Sequence, residues 1–163
     1  PVTTGALTHV GMAEIAVADT SRTSFVVPGL GSCIALVIYE PQRRLAGMAH
    51  VLLPDSTQAA TVEAPGKFAD TAVPQLIAEL VARGANRGAL VAKLAGGAQM
   101  FKAGPSLSVG DRNVEAVTRA LATHGIPVLA SDVGGNQGRS VRYEVGTERY
   151  FIRRRLGAEE ILE

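Results

Sequence analysis

Residues 33–39 (Cys-Ile-Ala-Leu-Val-Ile-Tyr) form an almost unbroken apolar run. That pattern predicts a strand covered on both faces, because a half-exposed strand alternates apolar and polar positions. The polar stretch 40–44 follows as a turn, and 45–53 predicts a return strand stopped by Pro54-Asp55-Ser56. Upstream, residues 10–18 carry Met12, Ile15 and Val17 and predict a first strand. Residues 25–27 predict a short strand ended by Pro28-Gly29, and the small, polar residues 1–7 are expected to fray.

Downstream, 54–66 is rich in Pro, Ser, Thr and Gly and reads as a loop. Apolar positions 73, 76, 77, 80 and 81 mark one face of a helix over 71–83, stopped by Gly84, with Pro74 in its first turn. Residues 89–94 predict a strand closed by Gly96-Gly97. A second helix is expected from a cap at Asp111 or Asn113 through His124, with Val114, Val117 and Leu121 inward and Gly125 as its stop. Residues 126–130 predict another strand, and Gly134-Gly135-Asn136 a turn. Strands 141–145 and 148–152 flank Gly146-Thr147 as a hairpin, which sets Tyr143 opposite Tyr150. Residues 158–162 read as a terminal helical turn. Strands, helix, strand, helix, strands predict one α/β domain over 1–163: a layered sandwich of mixed sheets with about two main helices.

Composition narrows the function. Hydrophobic residues make up 47% of the 163-residue chain and aromatics only 4%, so the core must be aliphatic. A net charge of +1 offers no electrostatic footprint for nucleic acid or an anionic membrane. No apolar stretch approaches the roughly 20 residues of a membrane span, and no basic segment leads into an apolar leader. The single cysteine fits a reducing compartment, and a cytoplasmic protein is expected. No Cys/His/Asp/Glu spacing suits a metal, so neither metal nor cofactor is expected.

That cysteine, Cys33, follows Gly29-Leu30-Gly31-Ser32, and His50 lies in the return strand. Side chains alternate faces along a strand, so parity decides whether the two meet. A two-residue loop at 41–42 sets Cys33 directly opposite His50. A four-residue loop at 41–44 sets Ala35 opposite His50 and makes Cys33 its diagonal neighbour at roughly 7–8 Å. An odd-length loop separates them. A histidine beside a cysteine takes the thiol proton and yields a nucleophile for a carbonyl carbon. The imidazolium then protonates a leaving amine. The N–H groups of Ser32 and Cys33, in a glycine-flanked bend, are candidates to hold the oxyanion. The plainer reading of each residue is a small buried hydrophobe at Cys33 and a satisfied core histidine at His50.

The residues carry a resemblance. Pro28-Gly29-Leu30-Gly31-Ser32-Cys33 and Gly47-Met48-Ala49-His50-Val51-Leu52-Leu53-Pro54 resemble the CheD chemoreceptor glutamine deamidases. So do Lys67-Phe68-Ala69-Asp70, Lys93-Leu94-Ala95-Gly96-Gly97-Ala98, Arg112-Asn113-Val114-Glu115-Ala116-Val117 and 132–139, in order. The resemblance implies hydrolysis of glutamine side chains on chemotaxis receptors to glutamate and ammonia, with Cys33 and His50 catalytic. Some members also hydrolyse receptor methyl esters, and a CheC-type phosphatase is an implied partner. The implied fold is similar to the catalytic domain of cytotoxic necrotising factor toxins. One position departs: the family pattern has a threonine six residues before the cysteine, where this chain has Val27. In the related toxins a main-chain carbonyl orients the histidine, so the Val27 carbonyl is the candidate here, ahead of Thr23, Ser24 and Ser32.

Two other activities compete: a weakly active or inactive module that sequesters CheC or receptors, and a thiol protease. Gly134-Gly135-Asn136-Gln137-Gly138-Arg139 precedes a strand and not a helix, so it reads as a turn and not a phosphate cradle. Gly96-Gly97 reads likewise. His9 and His124 read as surface residues, and Arg153-Arg154-Arg155 as a solvated strand end.

Overall fold

A computed structural model describes residues 5–101 and 108–163. The chain runs β1 (Ala6–His9), β2 (Ile15–Ala18), β3 (Thr23–Leu30), β4 (Ile34–Glu40), β5 (Leu45–Val51), α1 (Ala69–Ala82) and β6 (Val91–Gly96). It continues through α2 (Val109–Thr123), β7 (Val128–Val133), β8 (Arg139–Glu144), β9 (Arg149–Arg154) and β10 (Glu160–Leu162). The described strands form two five-stranded sheets, ordered β1-β3-β8-β9-β10 and β2-β5-β4-β6-β7. Both are mixed: β1 runs parallel to β3, and β6 parallel to β7. The mixed α/β sandwich with two main helices expected from the sequence is the fold observed.

Parity along β4 divides two cores. Ile34, Leu36 and Ile38 pack with Val73, Leu76 and Leu80 of α1 and Val117 and Leu121 of α2. Ala35, Val37 and Tyr39 point the other way, into a layer shared with Phe25, Tyr143, Tyr150 and Ile152 of the facing sheet. Every residue of β4 and β5 is buried, as a strand covered on both faces requires. The layers are therefore sheet, sheet and helices. Glu40 pairs with Leu45 and Ala35 with His50, so the β4–β5 turn is the four-residue one. Gln42 and Arg44 close it with φ of 69° and 53°.

Several local expectations are corrected. Residues 10–18 are not one strand: a turn separates β1 from β2, and Ala6 and Leu7, expected to fray, pair with Thr23 and Ser24. Residues 1–4 of that expected frayed segment lie outside the described residues. Pro28-Gly29 does not end β3; the strand crosses it to Leu30 through an irregularity in its pairing with β8. Proline has no N–H to give the ladder, and Gly29 takes φ 68°. Helix α1 starts earlier than expected, which moves Pro74 past the first turn. The carbonyl it deprives belongs to Asp70, an exposed residue that water can serve. Ser108, not Asp111 or Asn113, caps α2, accepting from the Asp111 N–H at 3.2 Å. Residues 160–162 form a strand on β9 and not a helical turn.

Tyr143 does pair with Tyr150, with ring centroids 6.0 Å apart, though the turn is the four residues 145–148 and not Gly146-Thr147 alone; an even difference keeps the register. The Tyr150 hydroxyl donates to the Ala35 carbonyl at 2.8 Å. Burial pushes both phenols well above the ordinary tyrosine range. In the unfolded chain they ionise near pH ~10. Their contribution to stability is therefore full below that pH and is lost as pH rises above it, because the unfolded chain releases protons the folded one retains. Tyrosinate absorbance from this pair should rise together with unfolding and not ahead of it. The Tyr143 hydroxyl has no partner among the described residues. Tyr143→Phe should therefore cost little at neutral pH and flatten the alkaline decline in a denaturant titration.

Candidate active site

Gly31-Ser32-Cys33 joins β3 to β4, and neighbouring segments fix its backbone. The Gly97 N–H donates to the Cys33 carbonyl at 2.9 Å and the Ala98 N–H to the Gly31 carbonyl at 3.0 Å. From α2, Asn113 Nδ2 donates to the Ser32 carbonyl at 2.9 Å and to the Leu52 carbonyl at 2.8 Å. Gly96 has φ 116°, and a Cβ there would lie 2.1 Å from the Cys33 carbonyl oxygen. The Gly96-Gly97 turn thus lets β6 run directly against the loop. Among the described residues, the N–H groups of Ser32 and Cys33 donate to no acceptor. Two unspent donors flank the thiol.

Cys33 is half-buried against the layer between the sheets. Burial pushes its thiol pKa up, because the thiolate loses solvation. The thiol therefore needs a base to ionise near neutral pH. A cleft of about 470 Å³ beside the loop is lined by Met100, Gln137, Gly138, Arg155 and Leu156. Met100 also comes within 3.8 Å of where a Gly31 Cβ would lie.

His50 sits opposite Ala35 on β5, on the same inter-sheet face as Cys33, as its diagonal neighbour. The turn between β1 and β2 grips it. The Ala13 N–H donates to the His50 carbonyl at 3.0 Å, and the His50 N–H to the Glu14 carbonyl at 3.0 Å. Ring Nδ1 lies 3.0 Å from the Val10 carbonyl. A carbonyl only accepts, so Nδ1 carries the hydrogen and Nε2 holds the basic lone pair. Nε2 has no hydrogen-bond partner among the described residues. Cys33 and His50 are thus brought together on one face, and no hydrogen bond yet joins them.

The carbonyl of Val27 does not orient the ring; that of Val10 does. Val27 pairs with Val141 on β8, and its side chain is buried between the sheets. Sequence patterning missed Val10 because a backbone carbonyl has no residue identity. It also missed Asn113, whose signal was present: an amide on the buried stripe of Gly110, Val117 and Leu121 must have partners. The loop at 134–137 wraps the buried guanidinium of Arg139, which bonds the Gly134 and Gln137 carbonyls. Arg154 is more than a solvated strand end, since its guanidinium meets Asp132 at 2.6 Å.

A family model described as CheD chemotactic sensory transduction matches residues 52–154. The chain is 45% identical over 150 residues to a probable chemoreceptor glutamine deamidase CheD of Symbiobacterium thermophilum, covering 90% of this chain and 91% of the relative. It is 43% identical over 152 residues to the chemoreceptor glutamine deamidase CheD of Thermotoga maritima, covering 93% and 94%. A chemoreceptor glutamine deamidase CheD of Halalkalibacterium halodurans is 45% identical over 148 residues, covering 88% and 91%.

Gly96→Ala tests how tightly the loop is held. It forces a side chain into a conformation that costs about 1–3 kcal/mol and collides with the Cys33 carbonyl. The variant should melt at lower temperature, and the rate of Cys33 alkylation in the folded protein should change. An unchanged alkylation rate would mean the loop is not fixed by this contact.

Proposed function

The chain belongs to the CheD family, and from that premise we propose that it hydrolyses glutamine side chains on chemotaxis receptors to glutamate and ammonia by a cysteine–histidine mechanism. The observation that carries this reading is the shared face: a half-buried thiol and an imidazole with a free Nε2 sit diagonally across one strand pair. His50 Nε2 accepts the Cys33 proton. The thiolate attacks the amide carbonyl carbon and forms a C–S bond, while the N–H groups of Ser32 and Cys33 hold the oxyanion. His50 returns the proton to the amide nitrogen, the C–N bond breaks, and ammonia leaves a thioester. Water, deprotonated by His50, then attacks the thioester carbon, the C–S bond breaks, and glutamate is released.

The Val10 carbonyl orients His50. This supports an active enzyme over a module that only sequesters partners, because the departure at Val27 leaves the imidazole held. A receptor is the proposed substrate and a CheC-type phosphatase the proposed second partner. Among the described residues no helix is long and apolar enough to cross a membrane. The proposed compartment is the cytoplasm, where a lone thiol stays reduced.

Purified receptor incubated with the protein should release ammonia and gain about one dalton per site, the exchange of NH₂ for OH on amide hydrolysis. Cys33→Ala and His50→Ala should each reduce the rate by about three orders of magnitude or more. Ammonia release surviving Cys33→Ala would refute the thiol mechanism. Peptide cleavage would indicate a protease instead.

A further inference from the structure

We infer that Asn113 is a positioning residue of this site, tying the loop that carries Cys33 to the strand that carries His50. The inference rests on the thiol–imidazole reading above. Gly110, Asn113, Val117 and Leu121 form the buried stripe of α2. Three of them suit an apolar core, but Asn113 brings a carboxamide into it at 0% exposure. Its Nδ2 donates to the carbonyl of Ser32, directly before the nucleophile, and to that of Leu52, two residues past the histidine. Two carbonyl acceptors fix the orientation of the amide, since only the nitrogen end can serve them.

The bridge stands where the sheet gives out. The β4–β5 ladder ends at Ile34 and Val51. One residue further, the Leu52 N–H turns away to the Lys67 carbonyl at 2.9 Å. Beyond that point no backbone pairing keeps Cys33 in register with the strand of His50, and the carboxamide takes over. The helix itself cannot drift. A Cβ at Gly110 would lie 2.6 Å from the Gly97 and Ala98 carbonyl oxygens, so the first turn of α2 sits directly on the segment that also holds Cys33 and Gly31.

Packing alone does not explain this side chain. Asn113 Oδ1 is buried without a partner among the described residues, a cost that an aliphatic residue would avoid. The two donors are what the position uses. Asn113 reaches the loop from the helix side of the sheet, whereas the thiol packs on the inter-sheet side. It therefore acts on substrate only through Cys33 and His50. With the bridge gone, the thiol, whose pKa burial already raises, loses a fixed proton acceptor.

The test compares Asn113→Ala and Asn113→Asp with Val117→Ala, a core truncation on the same helix. Cys33 alkylation by iodoacetamide is followed against pH in the folded proteins, beside kcat and KM for ammonia release. The Asn113 variants should shift the alkylation midpoint upward and lower kcat by about 10²-fold, the cost of misplacing a reacting group by about 1 Å, with KM little changed. Val117→Ala should lower Tm and leave the midpoint where it was. Asn113→Asp carries a further signature: once protonated it regains one donor, so its activity relative to the parent should rise as pH falls, and that of Asn113→Ala should not. If the alanine variant does not fold, Asn113→Ser, which keeps one donor, should show a smaller shift of the same sign. An unshifted midpoint in a folded Asn113 variant, or an equal shift in Val117→Ala, overturns the inference. Ammonia release that persists in Cys33→Ala overturns the thiol mechanism instead, while the alkylation arm still reads the role of Asn113.

Discussion

The length of the β4–β5 turn is the constraint on which the site depends. Side chains alternate along a strand with period two, so an even turn keeps Cys33 and His50 on one face, and one residue more or less would send the imidazole into the helix-side core. Gln42 and Arg44 hold this length with positive φ, which non-glycine residues adopt at a cost of about 1–2 kcal/mol. Long-range bonds support the turn: the Gln42 N–H meets Glu148 Oε1 at 2.5 Å, and Glu40 accepts from the Asn86 N–H at 3.0 Å. The larger restraint is the pair of cores. Ile34, Leu36 and Ile38 fill one layer and Ala35, Val37 and Tyr39 the other. A slip would exchange small and large side chains between two close-packed layers at once, and such layers absorb little change in volume.

Within that frame the thiol sits at a boundary. Cys33 lies one residue before β4 begins, packed against the inter-sheet layer yet half-buried. Deeper placement would raise its pKa further and shut out a protein substrate. The backbone of the loop is bonded at Gly31, Ser32 and Cys33 by three different partners, all of them through carbonyl groups. That pattern spends the acceptors of the loop on the fold and, among the described residues, leaves the N–H groups of Ser32 and Cys33 without an acceptor.

The parts of this arrangement governed by periodicity were legible in the sequence. The unbroken apolar run of β4 announced its double burial, the hairpin register set Tyr143 opposite Tyr150, and period two put Cys33 and His50 on one face for either even turn length, with the turn itself left to the structure. Parity arguments survive an error in loop length so long as the error is even. The edge strands of the other sheet, β1 and β10, were not legible. Ala6–His9 and Glu160–Leu162 are short and acquire strand structure only by pairing with β3 and β9. Their local sequence says little about a partner distant in the chain. Asn113 is ambiguous in sequence, because asparagine, like Asp111, also suits a helix cap, the place that Ser108 takes in the structure. A proline deep in a helix is costly, so the pattern places Pro74 in a first turn; the exposure of Asp70, whose carbonyl loses its partner, lowers that cost.

Val27 brings no side-chain acceptor to His50, and the segment between the first two strands supplies one instead. Val10 donates its N–H to the Val26 carbonyl at 3.0 Å and presents its own carbonyl to His50 Nδ1. Strand β3 therefore reaches the imidazole through Val10, a residue held at its N–H by the Val26 carbonyl and bonded to the ring through its own carbonyl. A carbonyl fixed this way has no rotamer to lose, and it selects the tautomer as a side-chain acceptor would. It cannot become anionic, so it orients the ring without adding a charge to stabilise the imidazolium. What the surrounding backbone does is hold the ring: the Ala13 N–H and the Glu14 carbonyl fix the main chain of His50, and the Val10 carbonyl fixes its Nδ1.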